Sequence, residues 1–241
     1  MELEGGHGVD MEALVRRLRL HRPGPSPYEP SDAVAPAPGA GELFRPRRAA
    51  VLVCLFRGAG GELRVILTKR SSSLSTHSGE VALPGGKAEE GDADDAATAL
   101  RESKEEIGLD PALHLLVVVP VVGILSDIQA FKPALNVAEV DEIFDVPLEM
   151  FLKDENRTSD ELEWMGQPFT LHHFTYEKGN DKYIIWGLTA GILIHAASVV
   201  YQRQPDFPDK RAQFNLPKYS KGVLFHAIRI CETLISTTIS Q

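Results

Sequence analysis

Three glutamates of one short segment, Glu102, Glu105 and Glu106, have the spacing that gathers carboxylates for chemistry. On a helix, residues at i, i+3 and i+4 share one face, so the three side chains project together. Like charges at this spacing destabilise an isolated helix, and a solvated face normally interleaves Lys or Arg. Arg101 precedes Glu105 by four residues and can hold it in place. Clustered carboxylate oxygens suit a hard divalent cation such as Mg²⁺, which keeps several waters and pairs with substrate phosphates.

Two glycines upstream, Gly85 and Gly86, favour the same chemistry. Glycine lets the backbone approach a ligand closely, and the carbonyls of this pair can complete a coordination shell. Taken alone, the acidic residues fit a solvated helix face and a cation site about equally well. The glycine pair, the position of Arg101 and the helix stop at Gly108 together favour the cation site.

A single helix must position these carboxylates, and both of its ends are marked in the sequence. We predict this helix from about Asp94 to Ile107. Asp92, Asp94 and Asp95 lie at its start, where the helix dipole favours negative charge. Gly108 stands where a C-cap is expected.

Apolar and β-branched runs on both sides of this helix predict strands. RAAVLVCLF and LRVILTKR around GAGGE predict one hairpin, and FTLHHFTYE and KYIIWGL around KGND predict another. EVAL and VVVPVVGIL predict single strands, and EVDEIFDVPL predicts a strand leading into a helical start at LEMFLKDEN. A final helix is expected at about 189–203. Short strands interspersed with a few helices indicate an α/β fold with a mixed sheet covered by helices.

Length and composition indicate one domain with tails. The chain has 241 residues, of which 43% are hydrophobic and 24% charged, close to ordinary globular usage. Six of the 16 prolines lie between Pro23 and Pro38, after a short helical candidate at 11–20. We therefore predict a partly disordered leader at 1–47, the domain at 48–203 and a tail of uncertain structure at 204–241.

The charge balance and the two cysteines restrict the partners and the compartment. The net charge is −9, and residues 87–110 hold nine acids against three bases, which excludes a general binder of nucleic acid. Cys54 lies in an apolar run and is expected to pack as a small hydrophobe. The cysteine count favours a reducing compartment. We expect a cytoplasmic protein, with a mitochondrial one as the alternative because MEALVRRLRLHRP is Arg-rich.

One uncharged stretch, residues 183–202 (YIIWGLTAGILIHAASVVYQ), is long enough to span a membrane. It contains Thr189, His195, Ser198 and two glycines, and it is the one stretch of its kind in the chain. We interpret its start as a strand and its remainder as a buried helix, and we expect no membrane association.

The acidic segment resembles a known motif. GGKAEEGD followed by RESKEEIGL is similar to the Nudix box, in which Gly, five residues, an acid and about seven residues precede Arg-Glu-x-x-Glu-Glu-x-Gly. Here the first acid is Asp92 rather than Glu, eight residues separate it from Arg101, and Ser103 occupies an apolar position. The resemblance implies a Nudix α/β/α sandwich.

The longer spacing and a second motif resemble the coenzyme A diphosphatase subgroup, in its plant-like form. ILTKRSSSLSTHSGEVALPGGK is similar to the signature of that subgroup, which usually has Arg where Ser75 stands. NVAEVDEIFDVPL and IIWGLTAGIL also resemble it, so that the similarity covers about residues 48–203. Only DPALHLL separates the box from VVVPVVGIL, where relatives usually have a longer segment with a strand of its own.

The resemblance implies Mg²⁺- or Mn²⁺-dependent hydrolysis of the pyrophosphate bond of coenzyme A and its acyl esters. The products would be 3',5'-ADP and 4'-phosphopantetheine, with the acyl chain where one is present. Alternatives are diphosphatase action on another nucleoside diphosphate derivative, such as NADH or ADP-ribose, and a catalytically weak nucleotide-binding variant. The expected partner is a small nucleotide substrate, and the oligomeric state stays open.

Site roles follow from the same resemblance. Glu102, Glu106 and the Gly86 carbonyl are expected to bind the metal, with Glu105 as a third ligand or an acid beside it. Arg101 belongs to the catalytic set, and the general base is a box glutamate, Glu139 or Glu142. The expected substrate contacts are Arg70, Gly85 and Lys87.

Several other residues have plainer interpretations. For Arg70, a structural salt bridge is as well supported as a phosphate contact. The loop residue His77 is expected to have no role, and His172 and His173 are expected to face opposite sides of a strand. His195, Trp164 and Trp186 are expected in the core.

Overall fold

Apolar residues follow one another with few interruptions along the central strands, at 53–57 and 63–70, because both faces of the sheet are buried. The structure is a computed structural model that describes residues 10–20, 49–109, 116–118, 122–164 and 167–210. Its helices are α1 (Met11–Leu20), α2 (Asp95–Ile107), α3 (Gly187–Tyr201) and a 3₁₀ turn (Leu148–Leu152). Its strands are β1 (Ala49–Val51), β2 (Val53–Arg57), β3 (Leu63–Arg70), β4 (Val81–Ala82), β5 (Gly85–Lys87), β6 (Leu116–Val118), β7 (Val122–Ile124), β8 (Val140–Pro147), β9 (Arg157–Trp164), β10 (Gln167–Lys178) and β11 (Asp181–Trp186).

The main sheet is built around β3. Strands β2 and β4 pair with one edge of β3 and β8 pairs with the other, all antiparallel. Strand β7 runs parallel to β2, and β6 pairs antiparallel with β7. The sheet is therefore mixed, as predicted. Two smaller sheets accompany it: β1 with β5, and the antiparallel set β9, β10 and β11.

Side chains of β2 show how the two layers of core form. Val53 and Leu55 belong to the larger core, which also takes in residues of α1, α3, β10 and β11. Cys54 and Phe56 belong to the smaller core, under α2. Helices therefore cover both faces of the sheet, which confirms the α/β/α sandwich. Burial raises the pKa of the Cys54 thiol to about 12, as expected of a packed, unreactive cysteine.

The uncharged stretch at 183–202 forms the end of β11 and nearly all of α3, as predicted. Helix α3 is apolar on most of its surface, and it packs against the 3₁₀ turn, β10, β11 and α1 within the larger core. Among the described residues, no helix has both the length and the apolar character needed to cross a membrane.

Two predicted strands are each divided in the structure. In RAAVLVCLF, the N–H of Leu52 donates to the carbonyl of Pro84 at 2.8 Å, so β1 leaves the main sheet to pair with β5. In VVVPVVGIL, residues 119–121 lie outside the described residues, and the flanking pieces pair as β6 and β7. The prediction of one continuous strand was therefore wrong in both cases, and β6 supplies a strand directly after the short DPALHLL segment.

The core also extends beyond the limits 48–203. Helix α1 forms where the sequence predicted it and buries Leu14 and Leu18 in the larger core. Phe207, beyond the predicted end of the domain, is buried there too. The carbonyl of Lys210 accepts a hydrogen bond from the N–H of Thr170 at 3.0 Å. The rest of the predicted leader and tail, residues 1–9, 21–47 and 211–241, lies outside the described residues.

Candidate active site

Helix α2 carries the acidic segment, and both of its ends are capped as the sequence predicts. The Asp94 carboxylate accepts a hydrogen bond from the N–H of Ala97 at 2.8 Å. At the other end, Gly108 has a φ of 70°, and its N–H donates to the carbonyl of Lys104 at 3.0 Å. These caps fix where the helix begins and ends, and the packing of Ala99 and Ile107 in the smaller core fixes which side of the helix turns inward.

Glu106 is the buried carboxylate of the set, with 4% of its surface exposed. Its Oε2 accepts a hydrogen bond from the N–H of Gly85 at 3.0 Å. Burial raises its pKa to about 7, and the negative charges of Glu102 and Glu139 add to that rise. The Gly85 hydrogen bond and the positive charge of Arg70 act in the opposite direction. Such a pKa indicates a carboxylate held out of water, with two further carboxylates near enough to add to the rise.

Glu102 lies on the same side of α2 and contacts the glycine pair. Burial raises its pKa, with a further rise from Glu105 and Glu139, while Arg101 lowers it. A Cβ built on Gly86 would lie 2.4 Å from the Glu102 carboxyl carbon, so glycine is required for this approach. The Gly86 backbone and the Glu102 carboxylate therefore meet in one place. This oxygen-rich donor set fits a hard divalent cation.

Arg101 is the centre of a charged network beside these carboxylates. Its Nε and Nη2 bind the two oxygens of Asp92, each at 3.1 Å, in a fork arrangement. Nη2 also donates to the carbonyl of Lys87 at 3.0 Å and to Glu102 at 3.2 Å. Nη1 donates to Glu105 at 3.1 Å, the pairing that the sequence spacing predicts. The Arg101 hydrogen bonds hold the pKa of Asp92 well below its usual range.

Glu105 does not join the two inward carboxylates. Its side chain is 54% exposed and turned toward Arg101. In the part of the chain that the structure describes, no three acidic, histidine or cysteine side chains form a ready-made metal cage. Glu102 and Glu106 are the inward pair, and Arg101 supplies the positive charge among the surrounding carboxylates.

The segment after β7 brings a further acid to this pair. The Asn136 side-chain amide donates to Glu139 at 3.0 Å, and the Asn136 N–H donates to the carbonyl of Glu106 at 2.9 Å. Glu142, the other candidate base on this segment, instead accepts a hydrogen bond from the Tyr183 hydroxyl, which raises the pKa of Tyr183 to about 12. Of these two acids, Glu139 is the one whose charge acts on the inward pair.

The glycine pair opens onto a cleft of about 580 Å³, within the usual range for a small-molecule site. All three predicted substrate contacts, Arg70, Gly85 and Lys87, line this cleft. The Arg70 Nε is buried and has no hydrogen-bond partner in the described residues. A buried donor without a partner is costly, so its position indicates that an acceptor from a ligand completes the site.

Trp186 and His195 are less buried than the sequence predicts. Trp186 is 38% exposed, lines the cleft and stacks on His173, with ring centroids 5.9 Å apart. His195 is half-buried and lines a groove between α1 and α3. His77 also lines the cleft, and its Nδ1 lies 3.1 Å from Oε2 of Glu80. The side chain of Trp164 lies outside the described residues. The Trp-Gly pair at a strand-to-helix junction is the signal that indicates the position of Trp186.

The sequence comparisons agree with this fold. The sequence profile of the NUDIX domain matches residues 46–183, more than half of the chain, and the chain belongs to the Nudix family. Nudix hydrolase 15, mitochondrial, from Arabidopsis thaliana is 58% identical over 200 residues, covering 78% of this chain and 70% of that protein. Nudix hydrolase 22, chloroplastic, from the same plant is 60% identical over 191 residues, covering 74% of this chain and 62% of that protein.

A more distant relative has a substrate in its name. Peroxisomal coenzyme A diphosphatase NUDT7 from Mus musculus is 36% identical over 163 residues, covering 61% of this chain and 68% of that protein. The chain is thus a Nudix hydrolase with similarity to coenzyme A diphosphatases. Nudix hydrolases act on small nucleoside diphosphate derivatives and generally need divalent ions such as Mg²⁺ or Mn²⁺.

Proposed function

We propose that this chain hydrolyses the pyrophosphate bond of coenzyme A and its acyl esters, using Mg²⁺ or Mn²⁺. The products are 3',5'-ADP and 4'-phosphopantetheine, or its acyl ester. One observation carries the proposal: the glycine pair, which contacts the inward acidic pair, and the unpaired donor of Arg70 line one cleft with largely apolar walls. Coenzyme A likewise has a charged and an uncharged part, because its diphosphate is joined to a long uncharged arm.

The metal ligands in this proposal are Glu102 and Glu106, together with the Gly86 carbonyl. Glu105 is the third ligand or an acid beside the metal, and it reaches the cation only by leaving Arg101. When bound, the cation neutralises the diphosphate oxygens and lowers the pKa of the attacking water. Because Glu106 has a pKa near 7, its ionised form predominates only above neutral pH unless a positive charge arrives.

The remaining residues bind, orient and accept a proton. Arg70 donates to a non-bridging phosphate oxygen through its unpaired Nε, and the Lys87 ammonium lies along the same cleft. Glu139 takes the proton of the attacking water, and the Asn136 amide holds its carboxylate in place. The two hydrogen bonds to Asp92 hold the Arg101 side chain in place. Arg101 in turn fixes the positions of the Glu102 carboxylate and the Lys87 carbonyl.

Two observations support coenzyme A over other nucleoside diphosphate derivatives. The segment that resembles the coenzyme A signature, residues 66–87, supplies one wall of the cleft, from Arg70 through His77 to Lys87. A relative with 36% identity is named a coenzyme A diphosphatase. The names of the two plant relatives do not specify a substrate, so NADH and ADP-ribose are the alternative substrates.

The decisive experiment identifies the products. Purified chain is incubated with coenzyme A and Mg²⁺, and the products are followed by phosphorus NMR, with NADH and ADP-ribose in parallel. We expect 3',5'-ADP and 4'-phosphopantetheine from coenzyme A at a higher kcat/KM than for either alternative. The variant Glu106→Gln tests the site and is expected to lower turnover by about 100-fold or more. Faster cleavage of NADH or ADP-ribose would contradict coenzyme A as the preferred substrate. No cleavage of any of the three compounds would favour a catalytically weak nucleotide-binding protein.

We also propose a mitochondrial location, on the basis of the names of the plant relatives. The two plant relatives are named mitochondrial and chloroplastic, which supports the mitochondrial alternative over the cytoplasmic one. A fluorescent fusion at the C-terminus of the chain, imaged with an organelle marker, tests this. Diffuse cytoplasmic fluorescence would contradict it.

A further inference from the structure

One wall of the cleft has no role in the diphosphate chemistry described above. It is formed by Trp186, Leu188 and Ile192 at the junction of β11 and α3. Trp186 is 38% and Leu188 50% exposed, although both are large apolar side chains. The segment from Trp186 to Ile192 contains no charged residue. The basic side chains that can pair with phosphate oxygens lie elsewhere in the cleft, and the exposed apolar surface of this wall favours contact with an aliphatic group.

The backbone holds this wall in a defined position. Trp186 and His173 are a cross-strand pair of β11 and β10, and their rings stack with an interplanar angle of 12°. Gly187 follows with a φ of 61°, so the chain turns sharply there and presents Trp186 and Leu188 to the same space. The Thr189 hydroxyl donates to the carbonyl of Val81 at 3.4 Å and ties the start of α3 to the cleft floor.

We infer that the wall of Trp186, Leu188 and Ile192 binds the acyl chain of the substrate and sets the preference for chain length. The inference rests on the proposed function and deepens it. The two basic residues of the cleft, Arg70 and Lys87, come from β3 and β5, whereas the wall comes from the junction of β11 and α3. In this inference the basic residues take the phosphates, and the acyl end of the substrate lies against the start of α3.

The size of the effect follows from the area that the wall offers. Full burial of a methylene favours binding about fourfold, and contact on one side only favours it about twofold. We therefore expect the kcat/KM of the wild-type chain to rise about twofold for each of the first three or four methylenes added to acetyl-coenzyme A, which is about tenfold in all by octanoyl-coenzyme A. In Leu188→Ser, the octanoyl-to-acetyl ratio of kcat/KM should fall by about tenfold.

A matched control comes from the neighbouring strand. Ile184 is also 50% exposed, and it does not line this cleft. Ile184→Ser removes the same kind of surface and should leave the octanoyl-to-acetyl ratio unchanged. Trp186→Ala serves as a second wall variant, with circular dichroism as the check on folding. Equal losses for acetyl- and octanoyl-coenzyme A in both wall variants would overturn the inference and indicate that the wall contacts the nucleotide instead.

A binding measurement separates failure of the inference from failure of the proposed function. With chelator present, calorimetry compares octanoyl- and acetyl-coenzyme A on the wild-type chain and on Leu188→Ser. Octanoyl-coenzyme A is expected to bind the wild-type chain about tenfold more tightly than acetyl-coenzyme A, and Leu188→Ser should remove that difference. If the wild-type chain binds the two esters with this difference but hydrolyses neither, the proposed function is wrong, and the inference that the wall binds the acyl chain is supported. If the two esters bind the wild-type chain equally, the inference about the wall is wrong even if both esters are hydrolysed.

Discussion

Replacement of Glu106 by Gln should stabilise the metal-free protein at alkaline pH while removing its activity. The ordinary pKa of a glutamate here is 4.5, and burial raises that of Glu106 to about 7. Between these pH values the folded chain keeps a proton that the unfolded chain has released. This contribution to stability is therefore fully present below pH 4.5 and is lost as the pH rises through 7. A shift of this size corresponds to about 3 kcal/mol.

Glutamine imitates the protonated carboxyl and can still accept the Gly85 hydrogen bond. The Glu106→Gln variant should therefore keep its free energy of unfolding as the pH rises through 7. In urea unfolding with chelator present, the variant should exceed the wild-type free energy of unfolding by about 2–3 kcal/mol at pH 8.5 and by little at pH 5. Glu105→Gln is the control, because that side chain is exposed, and it should change the free energy by less than about 0.5 kcal/mol.

Mg²⁺ provides the complementary measurement. If Glu106 binds the cation, added Mg²⁺ should raise the unfolding midpoint of the wild-type chain at pH 8.5 and have a much smaller effect on Glu106→Gln. Equal stability of the two proteins at pH 8.5 would refute the assignment of Glu106 as a buried, unfavourably charged group. A gain that is the same at pH 5 and pH 8.5 would refute the titration argument.

Four further predictions concern two glycines, Arg101 and the metal requirement. Gly86→Ala places a Cβ within 2.6 Å of the Glu102 carboxylate and should lower kcat/KM by about 100-fold; Gly191→Ala, with nothing within 4 Å, should keep activity and stabilise α3 by about 0.5–1 kcal/mol in thermal unfolding. Arg101→Lys keeps the charge but loses the fork on Asp92, so steady-state kcat should fall by about tenfold; full activity would show that charge alone suffices. Chelator should abolish hydrolysis and Mg²⁺ or Mn²⁺ restore it, whereas a rate indifferent to chelator would contradict a metal-dependent site.

Local signals were sufficient for the elements that carry the chemistry. Helix α2 begins after Asp94 and ends before Gly108 because a capping carboxylate and a left-handed glycine act within a few residues of the chain. The same holds for α1 and for the hairpin of β10 and β11, which the turn residues of KGND predict. Such features depend on near neighbours, and the sequence displays those neighbours directly.

Residues that depend on distant partners were harder to predict. Nothing in EVDEIF distinguishes Glu139 from Glu142, since one meets Asn136 and the other Tyr183 only after folding. The break at Leu52 depends on the carbonyl of Pro84, and the polar composition of β9 conceals a strand that pairs with β10. In each case the competing structures are locally equivalent, and a contact far along the chain selects one of them.

The sequence by itself determined the family, the mixed α/β fold and the helix that bears the acids, because these follow from periodicity, caps and motif spacing. Tertiary structure decided how the acids divide: Glu106 is buried at Gly85, Glu105 is held outward by Arg101, and Trp186 faces the cleft. Three glutamates on one helical turn are nearly equivalent in an isolated helix. They become different because the sheet, the glycine pair and Arg101 approach that turn from different sides, and so give each carboxylate its own burial and its own neighbouring charges.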